Sequence, residues 1–139
     1  MNSSKRYKKY ELINFTYNIL KKVGLNNSNS KIISDFIIRA DERGVWSHGI
    51  VRLPVYVNRI EKKAAKKNPN FKFKKISNNI FHLSGDNGLG YLAANAGIKK
   101  CVALAKEKGI GLVAISKSNH FGMAANYLEF ASKNKCIAW

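Results

Sequence analysis

At Phe71 the hydrophobic period of the chain changes, and that change limits what the chain can fold into. Before it the apolar residues recur at helical spacing. "YELINFTYNILKKVGL" carries Leu12, Phe15, Ile19, Leu20 and Val23, with Gly24 as its stop. "NNSNSKIISDFIIRADERG" supplies Asn and Ser caps, places Ile32, Ile33, Phe36, Ile37 and Ala40 on one face, and closes at Gly44. Two such stripes joined by a short polar loop predict a helical hairpin. Pro54 fits the first turn of a third helix, where a missing N–H costs nothing; that helix carries Val55, Tyr56, Val57 and Ile60. The run "EKKAAKKNPN" reads as its solvated end.

After Phe71, "FKFKKI" and "IFHL" alternate across the turn residues "SNN", which predicts a hairpin of two short strands. His82 falls in the second strand as an exposed residue, on the face opposite Phe81 and Leu83. "SGDNGLG" is a loop, and "YLAANAGIKKCVALAKEKG" a helix with Leu92, Ala96, Cys101, Leu104 and Ala105 as apolar positions. "IGLVAIS" reads as a buried strand, "SNHFG" as a loop, "MAANYLEFASKN" as a helix and "CIAW" as the opening of another strand. Strands separated by helices favour parallel pairing. The expected class is α/β: N-terminal helices (residues 1–69) followed by the start of a mixed sheet (residues 70–139). Because the last strand has no room to finish, the sheet looks cut, with an open edge and a tendency to aggregate.

Charge narrows the function only partly. The formal net charge is +17, with 25 Lys and Arg against 8 Asp and Glu. Such a balance suits polyanions, but the positive residues are mostly scattered lysines, whereas groove readers rely on Arg forks or interleaved aromatics. We expect non-specific adhesion and no specific nucleic-acid partner. No apolar run is long enough for a membrane span, and "MNSSKRYKKYEL" has no signal core behind its basic residues, which points to the cytoplasm. Cys101 and Cys136 lack metal or redox spacing and read as buried free thiols; no metal site is expected.

Two stretches carry chemistry. Ser47 and His48 precede the third helix, and Arg52 and Tyr56, four apart, share a face of it. Arg matches a small carboxylate with two parallel N–H bonds, and His is the usual proton carrier near neutrality. Together they suit a hydroxy or oxo acid. The same residues also fit a plainer role, with His48 capping a helix, Arg52 at the surface and Tyr56 in the core. His120 follows a strand at its carboxyl end, where α/β sites collect, and Asn119 is placed to orient the imidazole. "GDNGLG" offers a weak anion cradle, although a turn with positive φ at Gly88 or Gly90 explains it as well.

The stretches "ADERGVWSHGIVRLPVYVNRI", "GDNGLGYLAANAGIKKCVALAKEKGIGLVAISKSNHFG" and "MAANYLEFAS" resemble the malate/L-lactate dehydrogenase family of NAD(P)-dependent oxidoreductases, which is distinct from the Rossmann-fold lactate dehydrogenases. The resemblance runs in order over nearly the whole chain. It implies hydride transfer between NAD or NADP and C2 of a 2-hydroxy or 2-oxo acid such as malate or lactate. By the same resemblance His48 and His120 are the catalytic acid/base candidates. Arg52 matches the substrate-carboxylate arginine, and Ser47, Tyr56 and Asn119 are further substrate-binding candidates. A non-Rossmann cofactor domain and a homodimer with its site near the subunit interface are implied too. Trp46 departs from the family, which has an acidic residue there; its indole is expected to narrow the pocket. The family is more than twice this length, so most cofactor contacts are expected beyond Trp139. A truncated, non-catalytic basic polypeptide is the alternative reading.

Overall fold

The computed structural model describes residues 6–139. The first residues of the basic N-terminal run lie outside that range. Helices α1 (Lys9–Lys22) and α2 (Asn27–Glu42) form the expected hairpin. Gly24 and Gly44 end them at φ 98° and 71°, a region that favours glycine. Asn26 caps α2: its Oδ1 accepts the Asn29 N–H at 2.8 Å, a contribution of about 1 kcal/mol. Two short 3-10 turns (Trp46–His48 and Ile50–Arg52) then lead into α3 (Leu53–Glu61), with Pro54 in its first turn. Strands β1 (Lys72–Lys75) and β2 (Ile80–Ser84) pair antiparallel. Helix α4 (Gly90–Lys108) crosses over to β3 (Leu112–Ser116), which pairs parallel with β2, and α5 (Ala125–Lys133) follows. The sheet order is β1-β2-β3.

One apolar cluster joins the two parts of the chain. Leu20 and Leu25, Ile33, Ile37 and Ile38 of α2, Leu53, Tyr56 and Ile60 of α3, and Leu89, Tyr91 and Leu92 around the start of α4 are all buried in it. Burial of one such side chain is worth about 1.5–3 kcal/mol, so this cluster, and not the small sheet, holds the molecule together. Farther out, Glu129 of α5 takes Arg39 of α2 and Arg43, its C-cap residue, each at 3.1 Å, and Lys133 at 2.6 Å. The arginine pairs dock α5 onto α2.

Several expectations are corrected. Phe15 is exposed and Thr16 is buried in its place, because the inward stripe of α1 runs through Leu12, Thr16 and Leu20. Val55 is exposed while its neighbour Tyr56 turns inward. Strand β3 is not buried: Leu112 is 51% and Ile115 38% exposed, since β3 ends the sheet and has only β2 beside it. "CIAW" forms no strand; it has no ladder partner among the described residues, and Ile137 and Trp139 stand in solvent. His82 is half-buried, with Nε2 2.8 Å from Ser116 Oγ on the neighbouring strand. Cys101 and Cys136 are free, as expected, but only half-buried. Positive φ occurs at Asp86 and Asn87, not at Gly88 or Gly90. Those glycines are needed for close approach instead: a Cβ on Gly88 would strike the Pro69 ring, and one on Gly90 the Asn119 carbonyl oxygen. No helix among the described residues is long and apolar enough to cross a membrane.

Candidate active site

The two 3-10 turns place Ser47, His48 and Arg52 at one end of α3. Each turn closes on itself, with the His48 N–H on Val45 O at 2.9 Å and the Arg52 N–H on Gly49 O at 3.0 Å. The Arg52 Nε donates back to Ser47 O at 2.7 Å, so one edge of the guanidinium braces the turn that carries the histidine. Ser47 Oγ lies 2.9 Å from His48 Nδ1. Beneath them sits Asp41 of α2, a residue the sequence reading passed over. Its Oδ2 accepts the Ile50 N–H at 2.7 Å, and its carboxylate lies where a Cβ on Gly49 would be. Partial burial raises the Asp41 pKa, and the Ile50 hydrogen bond opposes that rise.

His120 arrives from the far end of β3. Its ring centroid is 5.4 Å from that of His48, with the planes 31° apart. Tyr56 Oη is 2.9 Å from His120 Nδ1 and 3.0 Å from Tyr91 Oη. The Gly122 N–H also points at Nδ1, at 3.3 Å. A backbone N–H can only donate, so Nδ1 of the neutral ring is the acceptor and Nε2 carries the proton. Tyr56 then donates to His120, and Tyr91 donates to Tyr56. Burial raises both phenols' pKa values, so both stay protonated at neutral pH. The His120 pKa is lowered, first by partial burial, then by the charges of His48, Arg52 and Arg59. A neutral imidazole at pH 7 follows.

One expected contact is not made. Asn119 does not orient the imidazole. Its Oδ1 accepts from Arg59 Nη2 at 2.6 Å and Nε at 3.1 Å, while its Nδ2 donates to Asn87 O and Gly88 O. Arg59 thus lies near enough for its charge to act on His120, unnoticed because one Arg in a helix reads as a surface charge. The Trp46 indole, expected to narrow the pocket, is 72% exposed here.

Most amides of the "GDNGLG" loop are spent within the protein. Gly85 N–H is bonded to Ser116 O, Asn87 N–H to Lys117 O, Gly88 N–H to Gly85 O, and Gly90 N–H to His120 O. Three of these bonds hold the loop against the end of β3 and the loop after it, and the Gly88 bond closes the loop on itself. A groove of about 380 Å³ does open beside the His120 loop, lined among others by Gly90, Ala94, Gly97, Ile98 and Phe121. Ala94 and Ile98 of α4, with Val113 and Ile115 of β3, make its lining mostly apolar. Among the described residues no group of His, Cys, Asp and Glu is arranged to hold a metal ion.

The model of the malate/L-lactate dehydrogenase family matches residues 7–139. The malate/(S)-sulfolactate dehydrogenase of Methanothermus fervidus is 38% identical over 119 residues, covering 86% of this chain and 35% of that protein. The malate dehydrogenase of Pyrococcus abyssi is 35% identical over 132 residues, covering 95% of this chain and 36% of that protein. Among solved structures, the malate dehydrogenase from Entamoeba histolytica matches with a TM-score of 0.90 at 32% identity, over 95% of this chain and 37% of that one. The chain thus spans about a third of the length of the curated relatives it matches.

Proposed function

Because the chain belongs to the malate/L-lactate dehydrogenase family, we propose that it forms the proton-handling and carboxylate-binding part of an oxidoreductase acting on a small 2-hydroxy or 2-oxo acid. The observation that carries this reading is the meeting of His48 and His120, from the two separate parts of the chain, with ring centroids 5.4 Å apart beside Arg52. In this reading residues 1–69 bring His48, Ser47 and Arg52, and residues 70–139 bring His120 and Asn119.

The roles follow from the hydrogen bonds. Arg52 uses Nε on the Ser47 carbonyl, which leaves its two terminal nitrogens to grip a carboxylate. His120 presents its Nε2–H to the C2 oxygen, held in that tautomer by Gly122 and Tyr56. His48 moves the proton: a serine hydroxyl can donate to its Nδ1 or accept from it, so the ring can switch which nitrogen carries hydrogen. Tyr56 is a positioning residue here, since its buried hydroxyl is spent on His120 and Tyr91. Asn119 acts through Arg59. NAD or NADP, when bound, supplies or receives the hydride. The groove along Gly90, Gly97 and Phe121 is apolar enough for a planar ring, and most amides of the adjoining loop are spent within the protein, so the rest of the dinucleotide would be held largely elsewhere. A cytoplasmic homodimer is the assembly we propose.

The test joins this chain to the remaining part of the Pyrococcus abyssi relative and follows oxidation of NADH and NADPH with oxaloacetate and with pyruvate. Turnover that His48→Ala and His120→Ala each reduce at least about 100-fold supports the roles. Turnover near the parent rate in both variants overturns them.

A further inference from the structure

We propose that Asp41 is a positioning residue of this site: from α2 its carboxylate fastens the pair of 3-10 turns that present His48 and Arg52. Two observations meet at this one side chain. Oδ2 accepts the Ile50 N–H at 2.7 Å, which pins the start of the second turn. The carboxylate also fills the space beside Gly49, the hinge between the turns, where a Cβ would overlap its oxygens. Gly49 is buried, and its φ of −87° needs no glycine, so the absence of a side chain there is explained by Asp41 alone. Neither 3-10 turn contains a fully buried residue or a side-chain cap, so beside the Arg52–Ser47 brace and the packing of Ile50 on the core, the Asp41 bond is a main tie between the turns and α2. His48 precedes Gly49 directly, and Arg52 closes the turn that Ile50 opens. A shift of the Ile50 amide therefore carries both functional side chains with it.

The assignment rests on reading this site as the one that binds the hydroxy acid, yet its test needs no turnover. The full 139-residue chain is labelled with ¹⁵N, and the imidazole titrations and amide exchange are followed by NMR in the parent and in Asp41→Ala, Asp41→Asn and Gly49→Ala. Partial burial lowers the His120 pKa first, and His48 and Arg52 lower it further. When Asp41→Ala or Gly49→Ala frees the turns, those charges move away, and the His120 midpoint rises. The Ile50 amide then exchanges about tenfold faster. Asp41→Asn keeps an oxygen acceptor and holds both near the parent values. Loss of the Asp41 charge alone would act the other way, lowering His120 in both Asp41 variants. General loosening of the fold would speed exchange across α2 and α3 without singling out Ile50. Either of those patterns, or an unchanged His120 midpoint in folded Gly49→Ala, overturns the assignment. Oxidoreductase chemistry could fail in its own assay while this result stood.

Discussion

Tyr56 Oη sits 2.9 Å from His120 Nδ1, and this bond links the buried core of the molecule to its candidate site. Tyr56 is 2% exposed, set in the core cluster and against Tyr91 of α4, while His120 lies on an open loop after β3. The imidazole is thus located by a group that cannot move without disturbing the core.

Replacing Tyr56 with Phe removes that hydroxyl with almost no change in shape. His120 Nδ1 keeps only the Gly122 N–H, and the buried Tyr91 hydroxyl loses its acceptor. Leaving such a group unmatched costs about 1–3 kcal/mol. Urea unfolding should show a loss of that size with an unchanged slope, and the His120 ring signals should broaden as the ring gains freedom.

Gly122→Ala should damage the same chain from the other side. Gly122 has φ 76°, where a Cβ is strained, and that Cβ would press into the Tyr91 ring. Strain and displacement together should cost about 2–4 kcal/mol. Thermal unfolding reads the loss. Tyr56→Phe added to Gly122→Ala should cost less than the sum of the two, because both break the Tyr91–Tyr56–His120 chain.

How much of this was legible beforehand differs by element. Helices α1 to α4 were readable because each buries a stripe and carries its own stop signals, as Gly24 and Gly44 show. Strand β3 was readable as a strand but not as an edge, since exposure depends on what lies beside it. His48, Arg52 and His120 stood out by residue type. Their proximity did not, because it depends on how α4 and β3 return the chain to the start of α3. Asp41, Arg59 and Tyr91 were invisible for a related reason. Each acts through a partner distant in sequence or hidden by a turn, and a lone Asp, Arg or Tyr in a helix looks structural.

Acid should weaken the fold through His120. Its pKa in the folded chain lies below the ordinary 6.5, chiefly from partial burial. The unfolded chain therefore binds the proton more readily. This group's contribution is favourable above pH 6.5 and is lost as the pH falls from there through the folded value. Unfolding midpoints in urea should drop across that window in the parent, and drop less in His120→Gln, which cannot titrate. Equal drops in both would place the sensitivity elsewhere.

Asn119→Ala separates Arg59 from its support. In the parent, Asn119 spends Oδ1 on Arg59 and Nδ2 on Asn87 O and Gly88 O, so it couples the arginine to the loop before α4. Without it Arg59 regains rotamer freedom, and an anion in the site must order it again at a cost of about 1 kcal/mol. Affinity for oxamate, a stand-in for a 2-oxo acid, should fall about fivefold in a calorimetric titration, while Arg59→Lys should lose at least as much because an ammonium cannot make the same two-pronged contact. Equal affinity in all three proteins would remove Arg59 from the binding site and leave Arg52 as its single guanidinium.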